Sequence, residues 1–551
     1  MLTKTGNLHL EIQTSRKNPV GLLRTTYWDK KLRKNCHTQH GRITGCTLEQ
    51  LKMLQCAFRE QVTPFDDSGS YKILMSRELG ASQAILNLAR ELGLDRMLYS
   101  RTEPWVNCVM AMIVGRLIYQ GSKLGLCNQW QNTSLWELCA INGRPDVDKH
   151  CYAPLDRLLA RQQAIQKKLA SKHLKNGVLV LYDITSTYFE GAYEESELVA
   201  YGYNRDRKKG FEQVVIGLIT NSDGCPVGCE VFRGNTKDES TVMDKIDEIR
   251  KSFGLDDFIF VGDRGMVTQG RFDDIRKREN INTISALTHA QLKSLQQREV
   301  IAPELFDETS NMEIIDPDDA TLRYYLCKNP ITGQNEKATR QRLLDLTQAG
   351  LGELANYKQK STVEKLGARV GKLLAKYKMG KFFQWSIQPD PANAKSHSHK
   401  LVWELNEQKI SNEEQLDGCY VIRTDASKDK INGDDVVHAY KSLGNVESAF
   451  RNLKTVQVEM RPVFHKTDER IRAHIFLCML AYYLQWHMQR RLKPLFDADG
   501  AGSKRRWSFD GIIQCLRQRC RHTISINDVT YQQDGELTEE QEKIVRLLET
   551  I

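Results

Sequence analysis

Two apolar runs that each lead into an aspartate constrain the fold of this chain more than any other feature. Val178-Leu179-Val180-Leu181 runs through Tyr182 to Asp183, and Phe258-Ile259-Phe260-Val261 runs through Gly262 to Asp263. Unbroken apolar runs of this length are typical of strands that are buried on both faces of a sheet. An aspartate at the end of such a strand is held on rigid backbone at a solvated sheet edge, which suits a metal ligand or a general base. For either aspartate taken alone, capping of a turn is the alternative interpretation.

The segments around these runs predict an alternating α/β region. Strands are predicted at 214–219, 227–232 and 281–286, helices at 238–253 and 268–279, and a hairpin turn at Asn221-Ser222-Asp223-Gly224. Three consecutive strands followed by two helix-linked strands make a mixed five-stranded α/β sheet with flanking helices. This order, with acids on the first and fourth strands, is that of the ribonuclease-H-like fold, and it places Asp183 and Asp263 on adjacent central strands.

A third acid lies on a helix predicted over residues 434–454. Its apolar face is bordered by one polar stripe, made of Tyr440, Glu447, Arg451 and Lys454. Tyr440, Glu447 and Lys454 recur at a seven-residue spacing, which stacks them two turns apart. Glu447 can therefore point towards the sheet edge where the two aspartates end. Taken alone, the pattern is better explained as an amphipathic helix with an ordinary charged rim.

Three converging carboxylates without histidine or cysteine favour hard cations, and so predict Mg²⁺ or Mn²⁺. Two such ions about 3.5–4 Å apart activate a nucleophile and stabilise the leaving oxygen in phosphoryl transfer. Clustered carboxylates also repel each other and are relieved by bound metal. Asp183, Asp263 and Glu447 are therefore predicted to be both the catalytic residues and the metal ligands.

Changes in composition and pattern along the chain predict six regions. These are a basic β-hairpin and helix element at 1–60, a helical and possibly DNA-binding region at 61–175, the first part of a catalytic core at 176–290, an inserted α+β subdomain at 291–417, the second part of the core at 418–492, and a basic C-terminal region at 493–551. In the first region, Thr47 is predicted to cap a helix with Gln50. Its charged hairpin tip could contact DNA phosphates or remain solvated. The basic C-terminal region could bind DNA or a partner subunit, or form a solvated surface. Trp385 and Trp403 of the insertion could stack on an extruded base or pack between sheet and helix.

The composition allows a nucleic-acid partner and gives little sign of a cysteine-based metal site. The 79 basic and 70 acidic residues leave a net charge of +9, which is mildly basic. The 14 cysteines include no Cys-x-x-Cys pair, and zinc at Cys36, His37, His40 and Cys46 lacks the usual two spaced pairs. Scattered thiols, the lack of a visible signal peptide and the shortness of the apolar run at 475–484 predict a cytoplasmic protein with no membrane span.

Several segments together resemble the DDE transposases of bacterial insertion sequences, in the branch whose ribonuclease-H-like core is split by a β-rich insertion before its glutamate helix. The resemblance rests on 182–191, 202–218, 233–236, 262–266, 440–454 and 461–474, and it covers most of residues 80–490. That family carries the signature Tyr-x₂-Arg-x₃-Glu-x₆-Lys. Tyr440, Glu447 and Lys454 match it, whereas Leu443 stands at the arginine position, for which Arg451 is the candidate substitute.

The resemblance implies roles for these residues. Asp183 would bridge two metal ions, with Asp263 and Glu447 each holding one. The expected DNA contacts are Tyr440, Lys454, Arg451, Arg264, Arg205 and Lys208. The family cuts double-stranded DNA at transposon ends and joins the 3′-hydroxyl to target DNA, and related enzymes pass through a DNA hairpin and act as dimers on paired ends. The remaining alternatives are a metal-dependent nuclease of the same fold without strand transfer, and a non-catalytic DNA-binding protein derived from a transposase.

Overall fold

The computed structural model describes residues 8–14, 18–60, 72–206, 208, 210–356, 362–389, 399–498, 506–526 and 529–549. Its first element is an antiparallel sheet followed by a helix, with bounds β1 (Leu8–Gln13), β2 (Val20–Asp29), β3 (Lys34–Ile43) and α1 (Leu48–Glu60). The predicted hairpin is β2–β3, and β1 was not predicted. Thr47 and Gln50 form the expected capping box, since each backbone N–H donates to the other's side chain at 2.9 and 3.2 Å.

A helical region follows and shares one apolar core with the central sheet. Its elements are β4 (Lys72–Glu78), α2 (Gly80–Glu91), α3 (Leu94–Leu98), α4 (Pro104–Ile118), α5 (Lys123–Asn128), α6 (Leu135–Leu138), α7 (Ala153–Ala160) and α8 (Gln162–His173). The helices agree with the sequence periodicity, but β4 was not predicted. Its partner comes from the C-terminal region, so no nearby sequence signal indicates the pairing.

The central region alternates strands and helices as far as an inserted helical hairpin. In chain order the elements are β5 (Val178–Tyr188), β6 (Gln213–Thr220), β7 (Pro226–Arg233), α9 (Asp238–Phe253), β8 (Phe258–Gly262), α10 (Gln269–Arg276), β9 (Ile281–Ala286), α11 (His289–Gln297), β10 (Met312–Ile315), β11 (Arg323–Lys328), α12 (Pro330–Ala355), α13 (Val363–Tyr377), β12 (Phe383–Pro389), β13 (His399–Leu405), α14 (Glu407–Glu414) and β14 (Cys419–Thr424).

The central sheet has eight strands, in the order β10-β11-β14-β9-β8-β5-β6-β7, and not the five predicted from sequence. The five predicted strands are consecutive within it, with β8 parallel to both β5 and β9. The other three continue the sheet antiparallel from β9. They cover the backbone edge that β9 would otherwise expose, and such an edge is prone to pairing with other chains.

Part of the predicted insertion therefore belongs to the central sheet, because β10 and β11 lie within 291–417. Helices α12 and α13 pack with the β12–β13 hairpin around a separate apolar cluster that includes Leu351, Val370 and Phe382. Trp385 and Trp403 face each other across that hairpin. Trp403 packs on Phe383 with ring centroids 5.9 Å apart, whereas Trp385 is exposed.

The last part of the chain contains α15 (Gly433–Lys441), α16 (Leu443–Arg451), α17 (Asp468–Arg491), α18 (Lys493–Ala498), α19 (Phe509–Arg517), β15 (Cys520–Ile526), β16 (Val529–Asp534) and α20 (Glu539–Glu549). The single helix predicted at 434–454 is thus divided at Ser442, and a π-helical turn follows at Asn452–Val456. Helix α17 is buried along most of its length and packs on α4, α7 and β7. No helix in the described ranges is long and apolar enough to cross a membrane.

The C-terminal region is folded against the helical region and not a free basic tail. Strands β16, β15 and β4 form a three-stranded sheet in that order. Arg521 binds Asp534 and Glu137, and Arg519 donates to the carbonyl of Gly535 at 2.8 Å. Lys504 and Arg505 of the predicted basic C-terminal region lie outside the described residues.

Candidate active site

One open cavity of about 530 Å³ brings the three predicted acids together. Asp183 comes from β5, Asp263 directly follows β8, and Glu447 lies on α16. Strands β5 and β8 pair in parallel as far as Leu181 and Val261, so the two aspartates are level on neighbouring strands. The cavity therefore opens where β8 ends.

Asp183 was predicted to lie at the end of its strand, but it lies within β5. The strand continues to Tyr188 along β6, and only its pairing with β8 stops before Asp183. The carboxylate is half-buried, and its Oδ1 accepts a hydrogen bond from the N–H of Ile184 at 2.8 Å. Burial, with the charges of Asp263 and Glu447, raises the pKa of Asp183 to about 7. This carboxylate therefore gives up its proton less readily than an ordinary aspartate.

The other two acids are exposed and are placed by their local structure. The carbonyl of Asp263 accepts hydrogen bonds from Met266 and Val267 at 3.0 and 3.1 Å, and both of these residues are buried. This turn fixes the backbone of Asp263 at the sheet edge. Helix α16 packs on β5 through its buried face, which includes Val446. Glu447 follows Val446 and so lies at the border of that contact.

The carboxylates form a wide set. Within the described ranges, three ligand atoms lie within 4.8 Å of one another in a different place, at His173, Cys225 and His487. The three acids do not approach each other so closely. A pair of ions does not require such an approach, because each ion can take its ligands from a different pair of acids. An all-carboxylate set with one raised pKa fits hard divalent cations.

Two of the predicted DNA contacts line the cavity, namely Arg264 and Tyr440. The Tyr440 hydroxyl donates to Oδ1 of Asp263 at 3.4 Å, a long hydrogen bond. Burial and the charge of Asp263 raise the pKa of Tyr440 above its ordinary value, which keeps the hydroxyl protonated. Leu443, at the position where the signature has arginine, also lines the cavity.

The other four predicted contacts are not among the described residues that line the cavity. Lys454 is buried and binds Asp206 at 3.0 Å, and Arg461 binds the second oxygen of that aspartate at 3.0 Å. Arg205 pairs with Asp238. Lys208 lies 5.8 Å from the ring centroid of Tyr188, and Arg451 is exposed.

The displacement of Lys454 from the predicted stripe has a local cause. Residues Asn452–Val456 form a π-helical turn, which has more residues per turn than an α-helix. The seven-residue spacing from Glu447 therefore no longer returns to the same face. Lys454 is directed instead to the loop that follows β5, where Asp206 lies.

Sequence reasoning missed one histidine and two charged residues that line the cavity: His289, Glu336 and Lys441. Lys441 adjoins Tyr440 in the signature, and this adjacency was the one available signal for it. His289 begins α11 and Glu336 lies on α12, so only the fold brings them to the acids. Glu336 also accepts a hydrogen bond from the N–H of Gly418 at 2.9 Å.

Comparison with known proteins agrees with this geometry. The family model of the transposase DDE domain matches residues 178–484, a span that contains all three acids and the eight-stranded sheet. No curated protein matches the chain at a significant level. Because the matched span is more than half of the chain, this protein belongs to the DDE transposases of the insertion-sequence type.

Proposed function

We propose that this transposase moves DNA by a cut-and-paste reaction, cleaving the ends of its element and joining the 3′-hydroxyls to target DNA. The observation that carries the proposal is the convergence of Asp183, Asp263 and Glu447 on one open cavity. The family generally uses divalent metal ions. Two Mg²⁺ or Mn²⁺ ions are the cofactor that suits three carboxylates beside a phosphodiester.

From the resemblance to the family, Asp183 would hold both ions. Asp263 and Glu447 would each hold one. When bound, the ions supply Lewis acidity to the attacking and leaving oxygens of the in-line displacement. The protein places the two aspartates on paired strands, so that their backbones need not move during the reaction.

Cationic and hydroxyl groups around the acids would position the DNA backbone. Arg264 and Lys441 both line the cavity and attract phosphates. Lys441 is the better candidate for the role of the missing signature arginine, because Arg451 does not line the cavity as described. Tyr440 would orient Asp263 through its hydroxyl. Lys454, Arg205 and Lys208 would contact DNA next to the cavity.

The five consecutive strands β7-β6-β5-β8-β9 support a ribonuclease-H-like core to which β14, β11 and β10 add an extension. Joining two element ends at one target requires two active sites, so we propose a homodimer on paired ends.

The test separates transposition from simple cleavage. Purified protein is given a plasmid carrying the element ends with Mg²⁺, and separately precut ends with a target plasmid. Cleavage and joining are both expected, and both should be lost in Asp183→Asn, Asp263→Asn and Glu447→Gln. Glu336→Gln is the matched control, because it removes a carboxylate from the same cavity and keeps an acceptor for Gly418.

Three results would contradict this function. Cleavage without joining of precut ends indicates a nuclease. Binding of the ends with neither reaction indicates a DNA-binding protein. Near wild-type cleavage by Glu447→Gln excludes that residue as the third ligand.

A further inference from the structure

We propose that His173, Cys225 and His487 bind one zinc ion at a structural site separate from the active site. One ligand atom from each residue lies within 4.8 Å of the other two. None of the three is among the described residues that line the acid cavity. The site joins three elements that are distant in the chain: the end of α8, the turn between β6 and β7, and the last turns of α17.

The chemistry of the three groups suits zinc and excludes magnesium. Thiolate and imidazole are the usual ligands of Zn²⁺, at about 2.3 and 2.0–2.1 Å, whereas Mg²⁺ prefers oxygen. Atoms around one such ion lie about 3–4 Å apart, so the present spacing needs only small side-chain movements. A fourth position remains for water or for the hydroxyl of Tyr483, which lies 3.0 Å from Nε2 of His173.

Two observations indicate that this cluster is more than core packing. Nε2 of His487 is buried and has no hydrogen-bond partner among the described residues, which is costly for a polar atom unless something binds it. The position of Cys225 is also fixed, because its N–H donates to the Asn221 side chain at 2.9 Å and its carbonyl accepts from the Asn221 N–H at 3.1 Å. These bonds fix the backbone of Cys225 next to the two histidines.

The protonation states favour binding. Burial, with the charges of Lys172 and Arg490, lowers the pKa of His173 to about 4. Burial is also the main reason that the pKa of His487 is lowered to about 3. Both rings are thus neutral at pH 7, the protonation state in which imidazole binds a metal ion. Burial raises the pKa of Cys225, but a bound cation reverses this preference, so binding releases one proton.

Three cations face the cluster and oppose a metal ion there, and two of them are compensated. Arg490 is paired with Asp223 at 2.9 Å, and Arg491 with Glu91 at 2.7 Å. The third, Lys172, donates to the carbonyl of Leu92 at 3.1 Å. The thiolate formed at Cys225 adds the negative charge that a divalent ion needs.

The site would stabilise the support of the glutamate helix. The Trp486 indole donates to the carbonyl of Asp223 at 3.1 Å, within the turn that carries Cys225. On the other side of this turn, the carbonyl of Ser222 accepts a hydrogen bond at 3.1 Å from Asn445 of α16. Asn445 lies two residues before Glu447. Zinc that ties this turn to α8 and α17 would therefore brace the helix that presents Glu447.

The test uses the full chain, purified in excess Mg²⁺, with metal content measured by mass spectrometry. We expect about one zinc per chain, retained in Asp183→Asn and lost in Cys225→Ser and His487→Asn. Cys229→Ser is the matched control, because Cys229 is a buried cysteine on the adjoining β7 that is outside the cluster. It should keep its zinc.

A second measurement needs no variant of the cluster. Wild-type protein loaded with Co²⁺ should show a thiolate-to-cobalt charge-transfer absorption, which added Zn²⁺ removes. A zinc content near zero with no such absorption would overturn the proposal. So would a Cys225→Ser protein that holds as much zinc as the wild type.

Discussion

The acid cavity and the His173–Cys225–His487 cluster differ in spacing, charge and exposure. The cavity is open and oxygen-lined, and its three like-charged acids stay apart. The cluster is compact and half-buried, and its three groups are neutral and lie within 4.8 Å of one another. Neutral groups can pack closely without a ligand, whereas carboxylates that do so repel each other unless one takes up a proton. The open acid cavity suits metal ions that bind together with the DNA substrate. The compact neutral cluster suits a metal ion that remains bound permanently.

The largest expected difference between the two sites comes from Glu447→Gln. Loss of this charge should lower the cleavage rate by about 10³-fold or more, because in the proposed reaction all three acids hold the metal ions. The zinc content should not change. Cleavage assays and metal analysis on the same preparation check both parts, and a loss of zinc in this variant would mean that the sites are coupled.

The pH dependence of stability tests the repulsion in the acid cavity. Asp183 has a pKa of about 7 in the folded chain, above its ordinary value of 3.8. Its contribution to stability is therefore fully present below pH 3.8 and is lost as the pH rises through 7. Without added divalent metal, Asp183→Asn should be more stable than wild type at pH 8 by about 1–2 kcal/mol, allowing for solvent screening.

Thermal melts of both proteins at pH 5 and pH 8 measure this effect. Mg²⁺ should remove the difference at pH 8 by relieving the repulsion. An equal difference at both pH values would indicate that the asparagine acts through packing and not through charge.

Lys454→Ala tests whether Lys454 contacts DNA, although it is not among the described residues that line the cavity. Lys454 is bound to Asp206, so DNA must compete with this ion pair. We expect about tenfold weaker binding to element ends. The slope of log affinity against log salt concentration should also fall by about one, the effect of losing one phosphate contact. Titrations at several salt concentrations measure both quantities. Asp206→Asn is the paired variant, and it should bind at least as tightly as wild type.

The smallest effect is expected for Tyr440→Phe. Its hydrogen bond to Asp263 is 3.4 Å long, so its removal should slow cleavage by only about 2–10-fold. A loss as large as that of Glu447→Gln would show that the phenol takes part in the reaction itself. Single-turnover cleavage rates distinguish these outcomes.

Much of the fold could be predicted where the signal is local. The apolar runs before Asp183 and Asp263, the hairpin at 221–224 and the Thr47–Gln50 cap all depend on neighbouring residues, and all are present in the structure. Strand β4 (Lys72–Glu78) pairs instead with β15 (Cys520–Ile526), and β9 (Ile281–Ala286) with β14 (Cys419–Thr424), so both pairs join segments that are far apart in sequence. Their sequences indicate strands at most, because pairing depends on contacts with distant segments.

The sequence by itself determined which acids could form an active site, because strand and helix patterns are set by spacing along the chain. Only the tertiary structure decided what surrounds them. A π-helical turn directs Lys454 to Asp206, and folding brings Lys441 and Glu336 into the cavity. Folding likewise places two histidines beside Cys225. The physical reason is that side-chain direction depends on local helix geometry, and proximity on the packing of segments that are far apart in sequence.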